Sequence, residues 1–182
     1  LATINGRRIF EEVVSGKFTT NNPTINGVWE PVYIMNKIML GLYNAYLSCD
    51  LPQAKDVLVK MADWFGYQVL DKLSYEQIQE LLVCEHGSIN ESYITVYEIT
   101  GDEKYLKWAK LLNDEDMLIP AAEERDVLNG WHANTQIPKF TGFEKVYNYT
   151  QEDKYTRAAQ FFWETVVDKH TWVIGGNSTG EH

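Results

Sequence analysis

Three short polar clusters carry the residues best suited to chemistry, and they recur at nearly even spacing. The first ends at Asn36, the second spans residues 84–91 and contains His86, and the third spans residues 129–136 and contains His132. His86 lies fifty residues after Asn36, and His132 lies 46 residues after His86. Histidine and amide side chains both donate and accept hydrogen bonds, which suits the binding of sugar hydroxyls. The spacing predicts that the three side chains point into one common mouth.

Residues of these clusters also have structural interpretations, as helix caps, metal ligands or core residues. Ser88, Asn90 and Thr135 belong to residue types that cap helices, and for them the sequence favours capping over ligand binding. The Cys-Glu-His run at residues 84–86 contains metal-ligand types but lacks a third and fourth ligand elsewhere, so no metal site is assigned to this chain. Cys84 ends an apolar helix and is interpreted as a small core residue.

A glycine-rich segment near the end of the sequence carries one carboxylate. Residues 172–182 read WVIGGNSTGEH, a composition typical of a loop. Glu181 at the end of such a loop, over a cleft, would suit a general acid. The glycines do not form a phosphate-binding P-loop, because no Gly-Lys-Ser or Gly-Lys-Thr follows them.

Helical periodicity accounts for most of the chain. We expect helices over residues 34–49, 52–65, 75–83, 89–99, 103–112, 135–149 and 152–167. Ser74 followed three residues later by Gln77 predicts a capping box at the start of the third of these. Residues 113–131 contain Pro120, Gly130 and many acids, and are predicted to be a long loop with one helical turn at most.

Two stretches of the chain repeat one pattern. VYEITGDEKYLKWAKLL begins at Val96 and VYNYTQEDKYTRAAQFF begins at Val146, with a looser copy upstream. Each copy is the end of one helix, a tight turn and the start of the next helix. Such hairpins cannot bury their apolar faces alone, so they stack on one another. With almost no strand signal, the sequence predicts an all-α fold and leaves an open solenoid or a closed toroid as alternatives.

Composition excludes several classes of partner. Lys and Arg number 16 against 26 Asp and Glu, a net charge of −10, which argues against nucleic acid and against an anionic membrane surface. No apolar run approaches the roughly 18 residues that a membrane span needs. A neutral sugar meets no such objection, and aromatic side chains, 13% of the chain, are platforms for sugar rings. Two cysteines do not settle the compartment, so secretion and the periplasm stay open, as does a homo-oligomer.

Four motifs in the same order resemble a known family. The segments EHGSINE, YEITGDEKYL, LNGWHANTQIPK and IGGNSTGEH, together with WEPVYIMNKIMLGLYNAY near the start, resemble the β-L-arabinofuranosidases of glycoside hydrolase family 127 and the related family 146. The resemblance runs from about Trp29 to the end. It implies an (α/α)6 barrel, and a retaining exo-β-L-arabinofuranosidase that acts on plant-type glycans. Residues 1–182 are then expected to be a fragment of that one catalytic domain.

The resemblance also implies roles for individual residues. His86, His132, Asn36, Gln136 and Trp131 would bind the sugar, and Glu181 would be the general acid/base. The family uses a zinc-bound cysteine as nucleophile, and its Zn2+ ligands, a Glu-x-Cys pair and a Cys-Cys pair, are expected beyond residue 182. The fragment alone is therefore expected to bind no metal and to be inactive. The family usually has His where Asn36 stands, which leaves the exact sugar and linkage open.

Two further classes of function remain as alternatives. The first is a helical-repeat module that binds carbohydrate at the same mouth without chemistry. The second is another (α/α)-barrel sugar enzyme, either an epimerase or an unsaturated glucuronyl hydrolase. Analysis of the reaction products distinguishes these alternatives, because retaining hydrolysis, isomerisation and cleavage of an unsaturated uronide give different sugars.

Overall fold

The computed structural model describes residues 4–178 and residue 180, and helices account for most of them. A small antiparallel sheet of three two-residue strands follows the first helix, in the order β1-β2-β3. The helices are α1 (Ile4–Val14), α2 (Pro31–Cys49), α3 (Pro52–Gln68), α4 (Tyr75–Leu82), α5 (Ile89–Thr100), α6 (Glu103–Leu111), α7 (Glu115–Ala122), α8 (Ala133–Thr150) and α9 (Asp153–Lys169). The strands are β1 (Thr20–Asn21), β2 (Thr24–Ile25) and β3 (Val28–Trp29), and a single 3-10 turn covers Leu70–Lys72.

The all-α class predicted from the sequence is confirmed. The capping box is confirmed as well, since Ser74 Oγ accepts from the Gln77 backbone N–H at 3.2 Å and the Gln77 side chain accepts from the Ser74 N–H at 2.9 Å. Within the described residues, none of the helices combines the length and the apolar character that crossing a membrane would require.

The predicted long loop over residues 113–131 is wrong in part, because it contains the eight-residue helix α7. Asp114 caps this helix by accepting from the Asp116 N–H at 3.0 Å, and two acids follow in the first turn, where the helix dipole favours negative charge. Met117, Leu118 and Ala121 are buried on one face. The apparent breaker Pro120 therefore falls within a helix that its packing stabilises.

The chain divides into two compact units, residues 1–112 and residues 113–182. In the first unit, α2 packs against α3 and α5, and α5 packs against α6. Trp108 lies at the centre of this unit, buried against the edges of Tyr67, Tyr93 and Tyr105. Its Nε1 donates to Asp71 Oδ1 at 2.9 Å, which fixes the orientation of the indole ring.

Gly66 on α3 provides the closest approach to this indole, and its substitution is expected to be costly. A Cβ at Gly66 would lie 2.5 Å from three ring atoms of Trp108, and the ring is held on several sides. Overpacking of this kind costs about 1–3 kcal/mol, so we expect Gly66→Ala to lower the free energy of unfolding by that amount. Urea unfolding measures this change.

Gly41 on α2 offers the matched control for that substitution. A Cβ there would meet no atom within 4 Å, so Gly41→Ala should raise the free energy of unfolding by about 0.5–1 kcal/mol through helix propensity alone. If Gly66→Ala proved as stable as Gly41→Ala, the close packing of α3 on the Trp108 indole would be refuted.

In the second unit, α9 packs against both α7 and α8, and α7 also packs against α8. The core of this unit contains an aromatic cluster in which Phe140 and Phe162 stack with ring centroids 3.8 Å apart and planes 8° from parallel. Phe143 meets Phe140 edge-on at 5.3 Å. This cluster packs the middle of α8 against α9.

The three tight turns between paired helices share one form. Two residues separate α2 from α3, α5 from α6, and α8 from α9. The first residue of each turn adopts the left-handed conformation: Asp50 at φ 51°, Gly101 at φ 70° and Gln151 at φ 56°. The helical repeat itself stays a prediction from the sequence.

Candidate functional site

His86 lies in the short loop between α4 and α5 and is almost completely buried. Its Nδ1 is 3.2 Å from the carbonyl oxygen of Cys84. A carbonyl oxygen only accepts, so this contact places a proton on Nδ1 and sets the orientation of the ring. The loop before α5 therefore holds His86 in one defined tautomer, which is what a residue that recognises hydroxyl groups requires.

Asn36 lies directly behind this loop. Its side chain is fully buried on α2, and Nδ2 donates to Ser92 Oγ on α5 at 2.8 Å. Its Oδ1 has no hydrogen-bond partner among the described residues. A Cβ at Gly87 would lie 2.4 Å from that oxygen, and Gly87 has φ +58°, so only glycine fits beside Asn36. The structure thus brings Asn36 against the His86 loop. The predicted common mouth for Asn36, His86 and His132 stays a prediction.

A buried pair of carboxyl groups, which was not predicted from the sequence, lies beside the same loop. Glu30 immediately precedes α2 and Glu85 immediately precedes His86, and the two side chains are hydrogen-bonded to each other. Both residues are more than nine-tenths buried. Glu30 N–H donates to the carbonyl oxygen of Pro23, at 2.9 Å. Both glutamates stand within the polar clusters, but only the fold pairs residues so far apart in the chain.

Burial, followed by the negative charge of Glu85 and the hydrogen bond to it, raises the pKa of Glu30 to about 7. Two touching carboxyl groups in a buried place cannot both be ionised, so they hold one proton between them. Burial and both glutamates also raise the pKa of the neighbouring Cys84 to about 12, against an opposing hydrogen bond from the Glu30 backbone. Cys84 therefore stays a thiol at neutral pH and supplies no nucleophile, because the thiolate is the reactive form.

The carboxyl pair predicts a pH dependence of stability. The pKa of Glu30 rises from 4.5 in the unfolded chain to about 7 in the folded one, so the folded state binds the proton more tightly. The stabilisation of the folded state by this proton is complete below pH 4.5 and is lost as the pH rises through 7. Between pH 4.5 and 8 the wild type should lose on the order of 2–3 kcal/mol of its free energy of unfolding through this group. Glu30→Gln is neutral at every pH and should not show this loss.

Urea unfolding at a series of pH values measures this slope. Asp56→Asn, which replaces an exposed acid on α3, serves as the control and should keep the wild-type slope. An unchanged slope in Glu30→Gln would mean that the two carboxyl groups do not share a proton in the folded protein.

In the second unit, His132 and Gln136 stand at the start of α8. His132 occupies the N-cap position, and its Nδ1 lies 2.9 Å from Thr135 Oγ1. The Gln136 side chain is nearly fully buried, and neither its Nε2 nor its Oε1 has a hydrogen-bond partner among the described residues. A buried amide without partners costs about 1–3 kcal/mol, so such a side chain is a strong candidate for binding a polar ligand.

Gln136 lines a cavity of about 510 Å³ within the second unit, a size typical of ligand pockets. Trp131, which precedes α8, also lines it and is about 42% exposed. The remaining lining residues are Leu128, Asn129, Gly130, Ala133, Ile137, Phe162, Val166, Lys169, His170, Thr171, Trp172, Asn177 and Ser178. Gln136 and Trp131, two of the predicted sugar-binding residues, therefore line the same cavity.

The charge of this cavity differs from that of the chain as a whole. No carboxylate stands among its described lining residues, although the chain carries a net charge of −10. His170 Nε2 lies 2.8 Å from Asp126 Oδ2. Burial disfavours the Asp126 carboxylate, but the hydrogen bonds from His170 and the Leu128 N–H outweigh it and lower the pKa of Asp126. The described lining thus contributes no negative charge of its own, and the Asp126 carboxylate beside it is paired with His170.

The predicted site residues divide between the two units. Asn36 and the His86 loop meet in the first, and Trp131, His132 and Gln136 cluster in the second. Glu181, the predicted general acid/base, lies outside the described residues. Within residues 4–178 and 180, no three His, Cys, Asp or Glu side chains cluster in a way that could hold a metal ion. This part of the chain therefore does not fit a zinc site by itself.

Comparison with known proteins supplies the family. No curated protein matches the chain. A family model described as "Beta-L-arabinofuranosidase, GH127 catalytic domain" matches residues 3–182 and so covers nearly the whole sequence. Domains of this family are helical barrels, in agreement with the all-α fold of this chain. The family acts on glycosides, so its substrates are carbohydrates. The chain belongs to the β-L-arabinofuranosidase catalytic-domain family, glycoside hydrolase family 127.

Proposed function

We propose that this protein is a retaining exo-β-L-arabinofuranosidase that acts on plant-type glycans, and that residues 1–182 are part of one (α/α) barrel catalytic domain. The family match over residues 3–182 carries the proposal. The buried and unpartnered amide of Gln136, in a cavity without described carboxylates, supports it independently. An amide that donates and accepts side by side matches adjacent sugar hydroxyl groups, which do the same.

In this proposal the chain supplies the sugar-binding and acid/base half of the active site. His86 and His132 bind sugar hydroxyls through their ring nitrogens, and each ring is oriented by a hydrogen bond at Nδ1, to the Cys84 carbonyl oxygen and to Thr135 Oγ1 respectively. Gln136 and Trp131 provide an amide and an aromatic face. Asn36 is assigned to the binding half as well, and its fully buried side chain lies behind the His86 loop, where it donates to Ser92 Oγ.

Glu181 is assigned the proton transfers. A retaining glycosidase needs an acid that protonates the leaving oxygen and then, as a base, activates the incoming water. Neither cysteine of this chain is assigned as the nucleophile, and the raised pKa of Cys84 agrees with that. The zinc ion that the family resemblance implies is assigned to ligands beyond residue 182, since the described residues do not fit it.

Substitution of the two histidines tests the binding half of this proposal. In the longest natural chain that contains these residues, His86→Ala and His132→Ala should each lower kcat/KM for a β-L-arabinofuranosyl disaccharide by about 10- to 100-fold. Each removes hydrogen bonds to the sugar, worth about 1.5–3 kcal/mol when a charged or transition-state group is involved. Gln160→Ala, on the exposed face of α9, is the control and should leave kcat/KM unchanged.

The products decide between this proposal and its alternatives. Release of L-arabinose with the β configuration retained, followed by NMR during the first turnovers, is the expected result. Isomerisation of the sugar, cleavage of an unsaturated uronide only, or binding without any turnover would each refute the arabinofuranosidase assignment.

A further inference from the structure

The cavity of the second unit has lining residues to which the proposed function assigns no role. Trp172 lines it from the tight turn that follows α9. The Trp172 N–H donates to the carbonyl oxygen of Gly176, and the Gly175 N–H donates to the carbonyl oxygen of Trp172, both at 2.7 Å. These two bonds close the turn at residues 172–176 and hold the backbone of Trp172 in place. About 63% of the Trp172 residue nonetheless stays exposed.

The cavity therefore carries two half-exposed indoles, those of Trp131 and Trp172. Trp131 is anchored in a similar way, since its N–H donates to the carbonyl oxygen of Leu128 at 3.0 Å. Large aromatic surface that a fold holds towards water at a pocket is a feature of binding sites. Flat indole faces pack against the C–H faces of sugar rings, while the N–H edge remains available to hydroxyl groups.

The polar lining of the cavity contains more neutral groups than charged ones. Asn129, Asn177 and Ser178 line it together with Lys169 and with Gln136, whose buried amide has no partner among the described residues. A single pentose ring does not fill about 510 Å³, because pockets of this size hold drug-sized ligands. The cavity thus has the lining and the volume for a saccharide longer than one residue.

The proposed reaction fixes which ring a second sugar must be. An exo-glycosidase removes the terminal residue of its substrate, so any further ring of the same saccharide belongs to the leaving group.

We propose that the cavity binds the second sugar ring of the substrate, on the leaving-group side of the scissile bond, and that Trp172 stacks on that ring. This inference rests on the proposed glycosidase function. The protein then prefers an oligosaccharide over a glycoside with a small alcohol as aglycone, and Trp172 is the residue that determines this preference.

The test compares two substrates in the longest natural chain that contains these residues. A disaccharide with a terminal β-L-arabinofuranosyl residue offers a second ring, and methyl β-L-arabinofuranoside does not. Trp172→Ala should lower kcat/KM for the disaccharide about tenfold and leave kcat/KM for the methyl glycoside within about twofold. Trp172→Phe keeps an aromatic face and should lose less. Trp163→Ala removes an equally exposed indole from α9, outside the cavity, and should affect neither substrate.

A binding measurement keeps the subsite separate from the hydrolase function. The disaccharide is titrated into Glu181→Gln while tryptophan fluorescence is followed, and the part of the signal that comes from Trp172 should disappear when Trp172→Phe is added, while the part from Trp131 remains. Saccharide-dependent fluorescence from Trp172 without hydrolysis by the wild type would retain the subsite and refute the function. Hydrolysis that Trp172→Ala weakens equally for both substrates, or for neither, would overturn the subsite and retain the function.

Discussion

Lys139→Met is expected to lower the free energy of unfolding by about 3–5 kcal/mol. Lys139 lies on α8, and its Nζ is 2.5 Å from Asp114 Oδ2 at the start of α7. Both side chains are almost completely buried, with 4% and 11% of their surfaces exposed. Methionine retains much of the length of the lysine side chain but removes its charge. The carboxylate of Asp114 then stays buried without its cation, which is far costlier than the loss of the contact itself.

An exposed ion pair of the same unit provides the control. Arg125 pairs with Glu123 at 2.7 Å, and more than half of each side chain is exposed to water. Arg125→Met should change the free energy of unfolding by less than about 1 kcal/mol, because water screens such pairs. Urea unfolding of the two single variants gives the comparison directly.

The double variant Lys139→Met, Asp114→Asn separates charge burial from packing. Asparagine keeps an acceptor for the Asp116 N–H, so the cap of α7 is retained. Without a buried charge, the double variant should recover a large part of the stability that Lys139→Met loses. A Lys139→Met protein as stable as Arg125→Met would contradict the account of a buried, desolvated pair.

The sequence allowed the helices and the family to be predicted because both depend on local signals. The seven helices expected between residues 34 and 167 are all present, and each has a 3.6-residue apolar face or a cap that the sequence displays. The family motifs are likewise short and contiguous, and the family model confirms the resemblance drawn from them.

Two helices and the three strands were not predicted with the same signals. Helix α7 contains a proline and begins with acids, and its formation depends on the Asp114 cap and on burial against α8 and α9. The three two-residue strands are too short to show an alternating pattern. Helix α1 is amphipathic over its 11 residues, and its periodicity was overlooked. Packing against the rest of the fold decides whether segments of this kind become ordered.

The buried charged pairs of the site region were beyond sequence reasoning for a different reason. Glu30 and Glu85 are 55 positions apart, and Lys139 and Asp114 are 25 apart. A single sequence does not indicate which of its many acidic residues contacts which other side chain in the fold. The Asn36 and His86 positions were predicted together only because the hairpin period places them at equivalent points, and the structure sets Asn36 against Gly87 of the His86 loop.

The loss of activity in Glu181→Gln is the other large effect expected of this protein. Glutamine has the shape of glutamate but cannot give a proton to the leaving oxygen or take one from water. General acid/base catalysis contributes about 10²- to 10⁴-fold, so kcat/KM for a disaccharide should fall by that factor. An aryl glycoside leaves with less need of a proton, so its first step should lose less than the disaccharide does.

Glu164→Gln, on the exposed part of α9, is the control for this substitution. It changes the same side chain without contact with the proposed site and should leave kcat/KM as in the wild type. Equal losses in Glu164→Gln and Glu181→Gln would indicate a general effect on folding rather than the removal of an acid/base.

The most direct test is release of L-arabinose from a β-L-arabinofuranosyl disaccharide by the longest natural chain that contains these residues, wild type against Glu181→Gln. The account predicts clear release by the wild type and a loss of at least about 100-fold in the variant. Full activity in Glu181→Gln would contradict the acid/base assignment. No release by a folded, zinc-loaded wild type would contradict the substrate, and Asn36, where the family usually has His, would then be the first residue to examine for a different sugar.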